Sequence, residues 1–458
     1  MKSYMLTLLL FAFLYLGVNS TTLNDDMITT LPDQPRVNFT QYAGYLTVDE
    51  NNLKNLFYYF VEAEVDPASK PVVLWINGGP ICSTYGGGAF TENGPFRPTS
   101  TGRLVKNPYS WNIEANMLYL DSPAGFGFSY SEDPSDYFTN DKLTATDNLV
   151  FLEHWFNKFP QYRTNDFFIT GENYAGHYAP QLAELILQSR VNINLKGIAI
   201  GNPLLEFDTD LNSAIEFLSL KGQISEETYE MLNTECNMAT LKRQFQSGNF
   251  STSCSKVNFE LSKDRAYTDP FDVYADICLP PHERQAYMLT EPQAGDIDVC
   301  VGEQTATYMN RMDVQNAMHA KLVGVKSWSS CSGVVVYDIQ SLENSTVSIL
   351  GTLVKSGVRV LVYSGNRDSV IPFLGTRSLI NHLAEDFGFK TTKPFKAWLV
   401  GGEDAGWTME YEDILTYATV NGAGHSVPFS QPEIALKMIR TFLKGKSLQN
   451  ELSNNQAI

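Results

Sequence analysis

Short apolar runs alternate with longer amphipathic stretches in the first half of the chain, and this alternation most limits the folds open to it. The runs are bounded by Gly, Asn or Asp and are rich in residues that favour β-structure. They are residues 72–76, 117–120, 167–170 and 198–200. Short apolar runs of this kind are typical of strands that are buried on both faces of a sheet.

Helical periodicity fills the intervals between those runs. Leu149, Leu152 and Phe156 recur at helical spacing, and residues 179–187 also indicate a helix. Because strands that alternate with helices build parallel sheets, the first half of the chain predicts an α/β fold with a mostly parallel central sheet.

The pattern stops after about residue 205 and returns after about residue 325. In between, polar helical patches mix with four of the six cysteines. Strand-like runs then reappear, and an amphipathic helix with Ile434, Met438 and Phe442 on one face follows them. We therefore predict one α/β domain interrupted by a helical, disulfide-stapled insertion that acts as a lid. The predicted segments are a signal peptide (1–20), the first part of the core (21–205), the insertion (206–325), the second part of the core (326–445) and a C-terminal tail (446–458).

The N-terminus predicts a cleaved secretory signal. Lys2 precedes an apolar stretch at residues 5–18, and small or compact residues follow it. That stretch is shorter than the roughly 20 apolar residues that span a bilayer, and no later stretch approaches this length, so we expect no membrane partner. A formal charge of −18 at pH 7 without a Lys/Arg-rich block also argues against a nucleic-acid partner.

The six cysteines favour disulfides over a metal site, because secreted proteins form disulfides and no cysteines stand at zinc-ligand spacing. Their spacing alone leaves every pairing open. We expect no metal and no cofactor. Three sequons predict N-glycosylation at Asn38, Asn249 and Asn344.

Three stretches carry residues with catalytic potential. Residues 167–177 resemble a strand that enters a Gly-flanked sharp turn at Asn173 and leaves as a helix, the context of a nucleophile elbow. Asp368 lies just past a strand-like run, and His425 lies in a loop of small residues past the last core strand. The order of elbow, acid and His is the chain order of the α/β-hydrolases.

Five further motifs make a family resemblance specific. They are Trp75-Ile76-Asn77-Gly78-Gly79-Pro80, Glu92-Asn93-Gly94-Pro95, Tyr109-Ser110-Trp111-Asn112, Ser122-Pro123-Ala124-Gly125 and Ala423-Gly424-His425. In this order they resemble the signatures of the plant serine carboxypeptidase-like family, and the likeness runs from about Gln41 to Gly445. The resemblance implies the α/β-hydrolase fold and a peptide C-terminus or a small carboxylate or acyl compound as ligand. It also implies the secretory pathway, with the apoplast and the vacuole both open as destinations, and it leaves the oligomeric state open.

The resemblance also implies roles for single residues. Asp368 would orient His425, and the backbone N–H groups of Gly79 and Tyr174 would form an oxyanion hole. The residues expected to bind a substrate carboxylate are Trp75, Asn77, Glu92 and Glu172. The implied disulfides are Cys82–Cys331, Cys236–Cys254 and Cys278–Cys300. The carboxyl groups of Glu92 and Glu172 can face the carboxylate of a ligand only if the three groups share protons. We therefore expect the ligand to bind most strongly at mildly acidic pH.

The elbow departs from the family pattern Gly-Glu-Ser-Tyr-Ala-Gly, since Asn173 occupies the Ser position. A carboxamide has no proton to lose to His425, and its nitrogen is a poor nucleophile. Ile81 is a second departure, because the family has Gly after the Pro of its oxyanion loop and Ile lacks the backbone freedom of Gly. We interpret the chain as a pseudoenzyme that keeps a carboxylate pocket and either binds a ligand or accompanies an active paralogue.

Two alternatives stay open at this point. In the first, His425 and Asp368 act as a general base in a reaction without an acyl-enzyme, and Asn173 donates a hydrogen bond to an oxyanion. In the second, the protein is a serine-type carboxypeptidase or acyltransferase and Asn173 is not the native residue.

Overall fold

A central sheet of eleven strands organises the computed structural model, which describes residues 25–51, 53–79, 85–279 and 298–449. The predicted signal peptide, the last nine residues of the predicted tail, Ile81 and Cys82 lie outside the described residues.

The described strands follow one another through the whole chain. In chain order they are β1 (Met27–Ile28), β2 (Gln41–Asp49), β3 (Lys54–Val61), β4 (Val72–Ile76), β5 (Phe96–Pro98), β6 (Leu104–Lys106), β7 (Asn116–Leu120), β8 (Phe138–Thr139), β9 (Phe167–Glu172), β10 (Leu195–Gly201), β11 (Val336–Tyr337), β12 (Arg359–Gly365), β13 (Thr391–Val400), β14 (Glu403–Tyr411) and β15 (Leu415–Val420).

The strand order in the large sheet is β1-β2-β3-β7-β4-β9-β10-β12-β15-β14-β13. From β7 to β15 each strand is parallel to its neighbours in this order. The strands on either side, β1 to β3 and β13 to β14, pair antiparallel. The prediction of a mostly parallel sheet is therefore confirmed, and the antiparallel edges are a feature that the sequence patterns did not indicate.

Helices lie between the strands and cover the sheet. They are α1 (Asp141–Lys158), α2 (Ala175–Gln188), α3 (Phe207–Leu220), α4 (Glu226–Thr234), α5 (Met238–Ser247), α6 (Thr252–Asp264), α7 (Val301–Met309), α8 (Met312–Ala317), α9 (Val347–Lys355), α10 (Phe373–Phe387), α11 (Val427–Ser430) and α12 (Pro432–Leu443). Short 3₁₀ turns lie at Trp111–Ile113, Pro134–Tyr137, Pro160–Tyr162 and Ile339–Glu343, and a π-helical turn lies at Tyr85–Glu92. The chain therefore follows each central strand with helical segments, as the alternation of apolar runs predicts.

Two hydrophobic clusters form the core, and the alternation of side chains along the strands separates them. Leu74 and Ile76 of β4 belong to one cluster, and Val73 and Trp75 belong to the other. Because successive side chains of a strand point to opposite faces, the two clusters lie on opposite faces of the sheet. This burial on both faces explains why the central strands are continuously apolar.

The predicted insertion is helical and carries disulfides. Helices α3 to α8 lie between β10 and β12, and the disulfides Cys236–Cys254 and Cys278–Cys300 form as the family resemblance implies. Cys331 is also disulfide-bonded, and its predicted partner lies outside the described residues. The exact bounds of the segments stay predictions.

We expect Trp155→Ala in α1 to destabilise the protein by about 3–5 kcal/mol, because the ring is fully buried and its loss leaves a large cavity. The Trp155 ring packs against Phe60, Phe156 and Phe159. Urea unfolding measures the change. Leu187→Ala on α2 is the control, because that side chain is 44% exposed and its loss should alter stability by no more than about 0.5 kcal/mol. Equal effects of the two substitutions would contradict this account of the core.

Candidate functional site

The carboxyl ends of parallel strands bring the candidate site residues together. Asn173 directly follows β9, Asp368 lies in the loop after β12, and His425 lies in the loop after β15. Parallel strands of one sheet end at a common edge, and ligands of open α/β sheets bind there. The three side chains that the sequence singled out are in contact in the structure.

A sharp turn holds Asn173 between β9 and α2. Its φ of 57° lies in the left-handed region, which Asn tolerates better than most residues. Its backbone N–H donates to the carbonyl of Gly201, and its carbonyl accepts from the N–H groups of Gly176 and Leu204, each at 3.0 Å. A Cβ at Gly176 would lie 2.3 Å from the Leu204 carbonyl oxygen, so glycine permits the close approach of the helix. The turn has the strand, bend and helix of a nucleophile elbow.

One line of hydrogen bonds joins the three side chains. Asn173 Nδ2 lies 2.8 Å from His425 Nε2, and His425 Nδ1 lies 2.7 Å from Asp368 Oδ2. Because Nδ1–H donates to the carboxylate, Nε2 of the neutral imidazole is an acceptor, and the Asn173 amide donates to it. The amide therefore occupies the place from which a nucleophile would give its proton to His425.

The Asp368 carboxylate is completely buried and held by several donors. Its oxygens accept from the N–H of Val370 at 2.8 Å, the N–H of Ile371 at 3.1 Å and Nδ2 of Asn202 at 2.9 Å. Asn202 directly follows β10, and its Oδ1 accepts from the N–H of Gly365. Sequence reasoning missed Asn202, although a polar residue at the end of a predicted parallel strand is the signal that could have found it.

Burial and neighbouring negative charges shift the pKa of His425 in opposite directions. Burial alone lowers the pKa of its imidazole, but the negative charges of Asp368 and Glu172 outweigh burial, and the pKa lies above its ordinary value. His425 therefore takes up a proton more readily than an isolated histidine does.

A second cluster of polar side chains lies beside the elbow. Trp75 Nε1 donates to Asn77 Oδ1 within the buried end of β4, and Glu92 and Glu172 share a hydrogen bond. Ser426 Oγ donates to Glu172 Oε1 at 3.0 Å, which connects this cluster to the loop of His425. Trp75, Asn77 and Glu172 thus lie at the ends of the adjacent strands β4 and β9, and Glu92 lies at the end of the turn Tyr85–Glu92. The role of these four residues in binding a carboxylate stays a prediction.

Two glycines bring the turn Tyr85–Glu92 against this cluster. A Cβ at Gly87 would lie 2.1 Å from Asn77 Nδ2, and a Cβ at Gly88 would lie 2.2 Å from Trp75 Nε1. Any larger side chain at either position would displace the polar group that it faces. Glycine at both positions therefore allows the turn to pack closely against the cluster.

Burial raises the pKa of both acidic residues in the cluster. The pKa of Glu92 rises to about 7, although hydrogen bonds from Glu172 and Asn77 and the charge of Arg97 oppose the rise. The pKa of Glu172 lies well above its ordinary value because of burial and the neighbouring charge of Glu92. The pair therefore holds at least one proton at mildly acidic pH. One proton serves the hydrogen bond within the pair, and a second proton would be free to be donated to an anion.

Tyr174, the residue after Asn173, is fixed at both its backbone and its ring. A Cβ at Gly78 would lie 2.0 Å from the Tyr174 backbone nitrogen, so the chain before Gly79 approaches that N–H directly. The Tyr174 hydroxyl donates to Asp141 at 2.8 Å, and the same carboxylate lies 2.8 Å from His177 Nδ1. No motif in the sequence indicated that Asp141, at the start of α1, would contact Tyr174 and His177. The oxyanion-hole role of Gly79 and Tyr174 stays a prediction.

The insertion contacts the site through its backbone. The carbonyl of Phe271 accepts from the N–H of His425 at 2.7 Å, and the N–H of Val273 donates to the carbonyl of Arg367 at 3.1 Å. The Ser369 hydroxyl donates to the carbonyl of Pro270 at 2.7 Å. Residues 270–273 therefore fix the loops of both Asp368 and His425, a role that the predicted lid did not include.

Other sequence-based expectations concern ligands and modification. Within residues 25–279 and 298–449, apart from the gaps at 52 and 80–84, no cluster of three or more His, Cys, Asp or Glu side chains has the geometry to hold a metal. In the same segments, no helix combines the length and apolar character needed to cross a bilayer. Asn38, Asn249 and Asn344 are exposed, and their glycosylation stays a prediction.

Comparison with known proteins agrees with this fold. A family model described as serine carboxypeptidase matches residues 32–445. The chain belongs to the serine carboxypeptidase family. It is 51% identical over 449 residues to serine carboxypeptidase-like 45 of Arabidopsis thaliana, with 96% of this chain and 97% of the relative covered. It is 50% identical over 443 residues to serine carboxypeptidase-like 46 of the same plant, with 95% of each covered.

A solved structure shows the same fold. The crystal structure of a prohormone-processing carboxypeptidase from Saccharomyces cerevisiae matches with a TM-score of 0.73 at 21% identity, and covers 92% of this chain and 96% of that one. The prediction of an α/β-hydrolase fold with a helical insertion is confirmed.

We expect Glu172→Gln to flatten the dependence of stability on pH. An acid with a raised pKa in the folded state loses its proton more easily when unfolded, so stability falls as pH rises from the ordinary pKa of a glutamic acid through the raised pKa of Glu172. Gln cannot ionise. Between pH 5 and 8 the free energy of unfolding of the variant should therefore fall by about 1–3 kcal/mol less than that of the unaltered protein. Thermal unfolding across this pH range measures the difference. Glu153→Gln, at an exposed position of α1, is the control. A pH profile of Glu172→Gln parallel to that of the unaltered protein would refute the account.

Proposed function

We propose that this member of the serine carboxypeptidase family binds a carboxylate ligand and forms no acyl-enzyme. The hydrogen bond from Asn173 Nδ2 to His425 Nε2 carries the proposal. In the family pattern a Ser occupies the position of Asn173, and its hydroxyl gives its proton to the His. The amide fills the same place, but it has neither an acidic proton nor a nucleophilic lone pair.

The cluster of polar side chains beside the elbow supports the proposal that the protein binds a carboxylate. The Asn77 amide and the protonated Glu92–Glu172 pair carry hydrogen-bond donors at one place beside the elbow, and Trp75 Nε1 holds Asn77 there by donating to its Oδ1. Donors that are already buried and held in position lose little on binding, and charge-assisted hydrogen bonds to a carboxylate are strong. The ligand class is a peptide C-terminus or a small carboxylic acid.

The His–Asp pair does not favour non-covalent base catalysis. A general base needs a free lone pair within hydrogen-bond reach of the water or substrate proton. In His425 the Nδ1–H is engaged by Asp368, and Nε2 already accepts from Asn173. A reacting water would have to displace the amide, so the geometry supports the binding role over this alternative.

The proposal places the protein in the secretory pathway, in the apoplast or the vacuole. Two disulfides in the insertion and three exposed sequon asparagines support it, since oxidising compartments maintain disulfides. We also propose a catalytically active paralogue as a partner. A homologue that binds the same ligands but does not convert them could act alongside such an enzyme.

We expect Asn173→Ser to gain hydrolysis of blocked dipeptides and labelling by an active-site fluorophosphonate, because the hydroxyl restores a nucleophile beside His425. The rate should exceed that of the unaltered protein by about 10³-fold or more. Turnover assays at pH 5 and mass spectrometry of the labelled peptide measure both effects.

Asn173→Ala is the matched control, because it removes the amide without supplying a nucleophile. The double variant Asn173→Ser with Ile81→Gly tests the second departure from the family pattern. Labelling or acylation of residue 173 in the unaltered protein, or turnover equal to that of Asn173→Ser, would overturn the proposal.

We expect N-acetyl-phenylalanine to bind the unaltered protein at pH 5 and to bind more weakly as pH rises above about 7. The ligand is an anion throughout this range, so binding requires protons on the Glu92–Glu172 pair. The dissociation constant should rise by up to about tenfold per pH unit for each proton required. Isothermal titration calorimetry measures it, and N-acetyl-phenylalaninamide is the control ligand without the carboxylate. Equal affinity for acid and amide would exclude a carboxylate pocket.

A further inference from the structure

Two exposed aromatic rings lie at the end of α5 in the insertion. Phe245 is 69% exposed and Phe250 is 39% exposed, and their ring centroids are 6.3 Å apart at 78°. Large apolar side chains that form an exposed pair are unfavourable in water unless another group covers them.

A predicted glycosylation site, Asn249, lies in the tight turn that separates the two phenylalanines in the sequence. Helix α5 ends at Ser247, and Gly248 follows with a left-handed φ of 70°. The Gly248 N–H donates to the Phe245 carbonyl at 3.3 Å, so the chain reverses over the last turn of the helix. Asn249 is exposed at this reversal, and Phe250 comes directly after it.

The far side of the turn is fixed as well. The N–H of Ser251 donates to Gln244 Oε1 at 2.7 Å, and Ser251 Oγ accepts from the N–H of Cys254 at the start of α6. The disulfide Cys236–Cys254 joins the segment just before α5 to the first turn of α6. The rings on either side of Asn249 therefore have a defined arrangement.

We propose that the N-acetylglucosamine attached to Asn249 packs its apolar face against the Phe245–Phe250 pair. The C–H bonds of a pyranose ring carry partial positive charge, and the face of an aromatic ring carries partial negative charge. Stacking also removes apolar surface of both rings from water. The aromatic pair is thus a binding site for the first sugar of the protein's own glycan, and the glycan stabilises the α5–α6 hairpin.

A second sequon in the chain provides a contrast. Asn38 is followed by Phe39 and Thr40, so its local sequence is nearly the same as that at Asn249. Phe39, however, is only 8% exposed and packs against Phe96 with a centroid distance of 6.1 Å. A sugar at Asn38 has no exposed Phe39 ring to stack on, which makes this site an internal control.

The test compares local opening with and without the sugar. The protein is produced in a eukaryotic secretory host and trimmed with an endoglycosidase that leaves one N-acetylglucosamine on each occupied Asn. Hydrogen exchange of residues 238–264 is then measured for this form and for Asn249→Gln. We expect exchange to be about 2- to 10-fold slower in the form that carries the sugar. Phe245→Ala, and separately Phe250→Ala, should remove that difference.

Two controls make the outcome specific. Asn38→Gln should leave exchange in residues 238–264 unchanged, whether or not Phe245 is present. Leu220→Ala removes another exposed apolar side chain of the insertion and should preserve the effect of the sugar at Asn249. An unmodified Asn249 in the peptide mass spectrum would overturn the proposal, and so would protection that persists in both Phe variants. Neither outcome bears on the ligand pocket, which is tested separately.

Discussion

The hydrogen bond between Asn173 and His425 joins two residues that are 252 positions apart in the chain, and most of the fold serves to make that contact. Five consecutive parallel pairings, from β7 to β15, bring the ends of β9 and β15 to one edge of the sheet. Burial of these strands on both faces supplies the stability that holds the loops in place. The site is therefore a consequence of sheet topology, and its chemistry depends on single side chains at strand ends.

Burial governs how that edge of the sheet responds to protons. The same apolar surroundings that stabilise the strands raise the pKa of Glu92 and Glu172, while Asp368 counteracts burial at His425 and raises its pKa. Ser426 connects the acidic pair to the His loop, and the carbonyl of Phe271 connects that loop to the insertion. The groups that take up protons and the backbone contact of the insertion therefore share one hydrogen-bonded network, in which a change at one group affects the others.

The sequence predicted the parts of this arrangement that depend on local patterns. The elbow at Asn173 was recognisable because strand, glycines and helix follow one another within eleven residues. Asp141 was missed because its partners come from distant elements and its own neighbours carry no motif. Asn202 was missed although it follows a predicted parallel strand, because that position alone does not identify its partner Asp368. The contact of Phe271 with His425 uses a backbone carbonyl, which every residue has, so no side-chain pattern could indicate it. No role was predicted for Gly87 and Gly88, because their close approach to Asn77 and Trp75 is evident only in three dimensions.

The side chain of Asn173 suits both the backbone turn at the elbow and the hydrogen bond to His425. Asn is among the few non-glycine residues that adopt a left-handed φ readily, so the turn at 57° is kept without much strain. Its Nδ2 also satisfies the buried Nε2 of His425, which would otherwise lose a hydrogen bond at a cost of about 1–3 kcal/mol. An alanine at this position would meet neither condition. Asn173 therefore supports both the turn and the orientation of the His–Asp pair with a side chain that has no ionisable hydroxyl, and the proposed function rests on this combination.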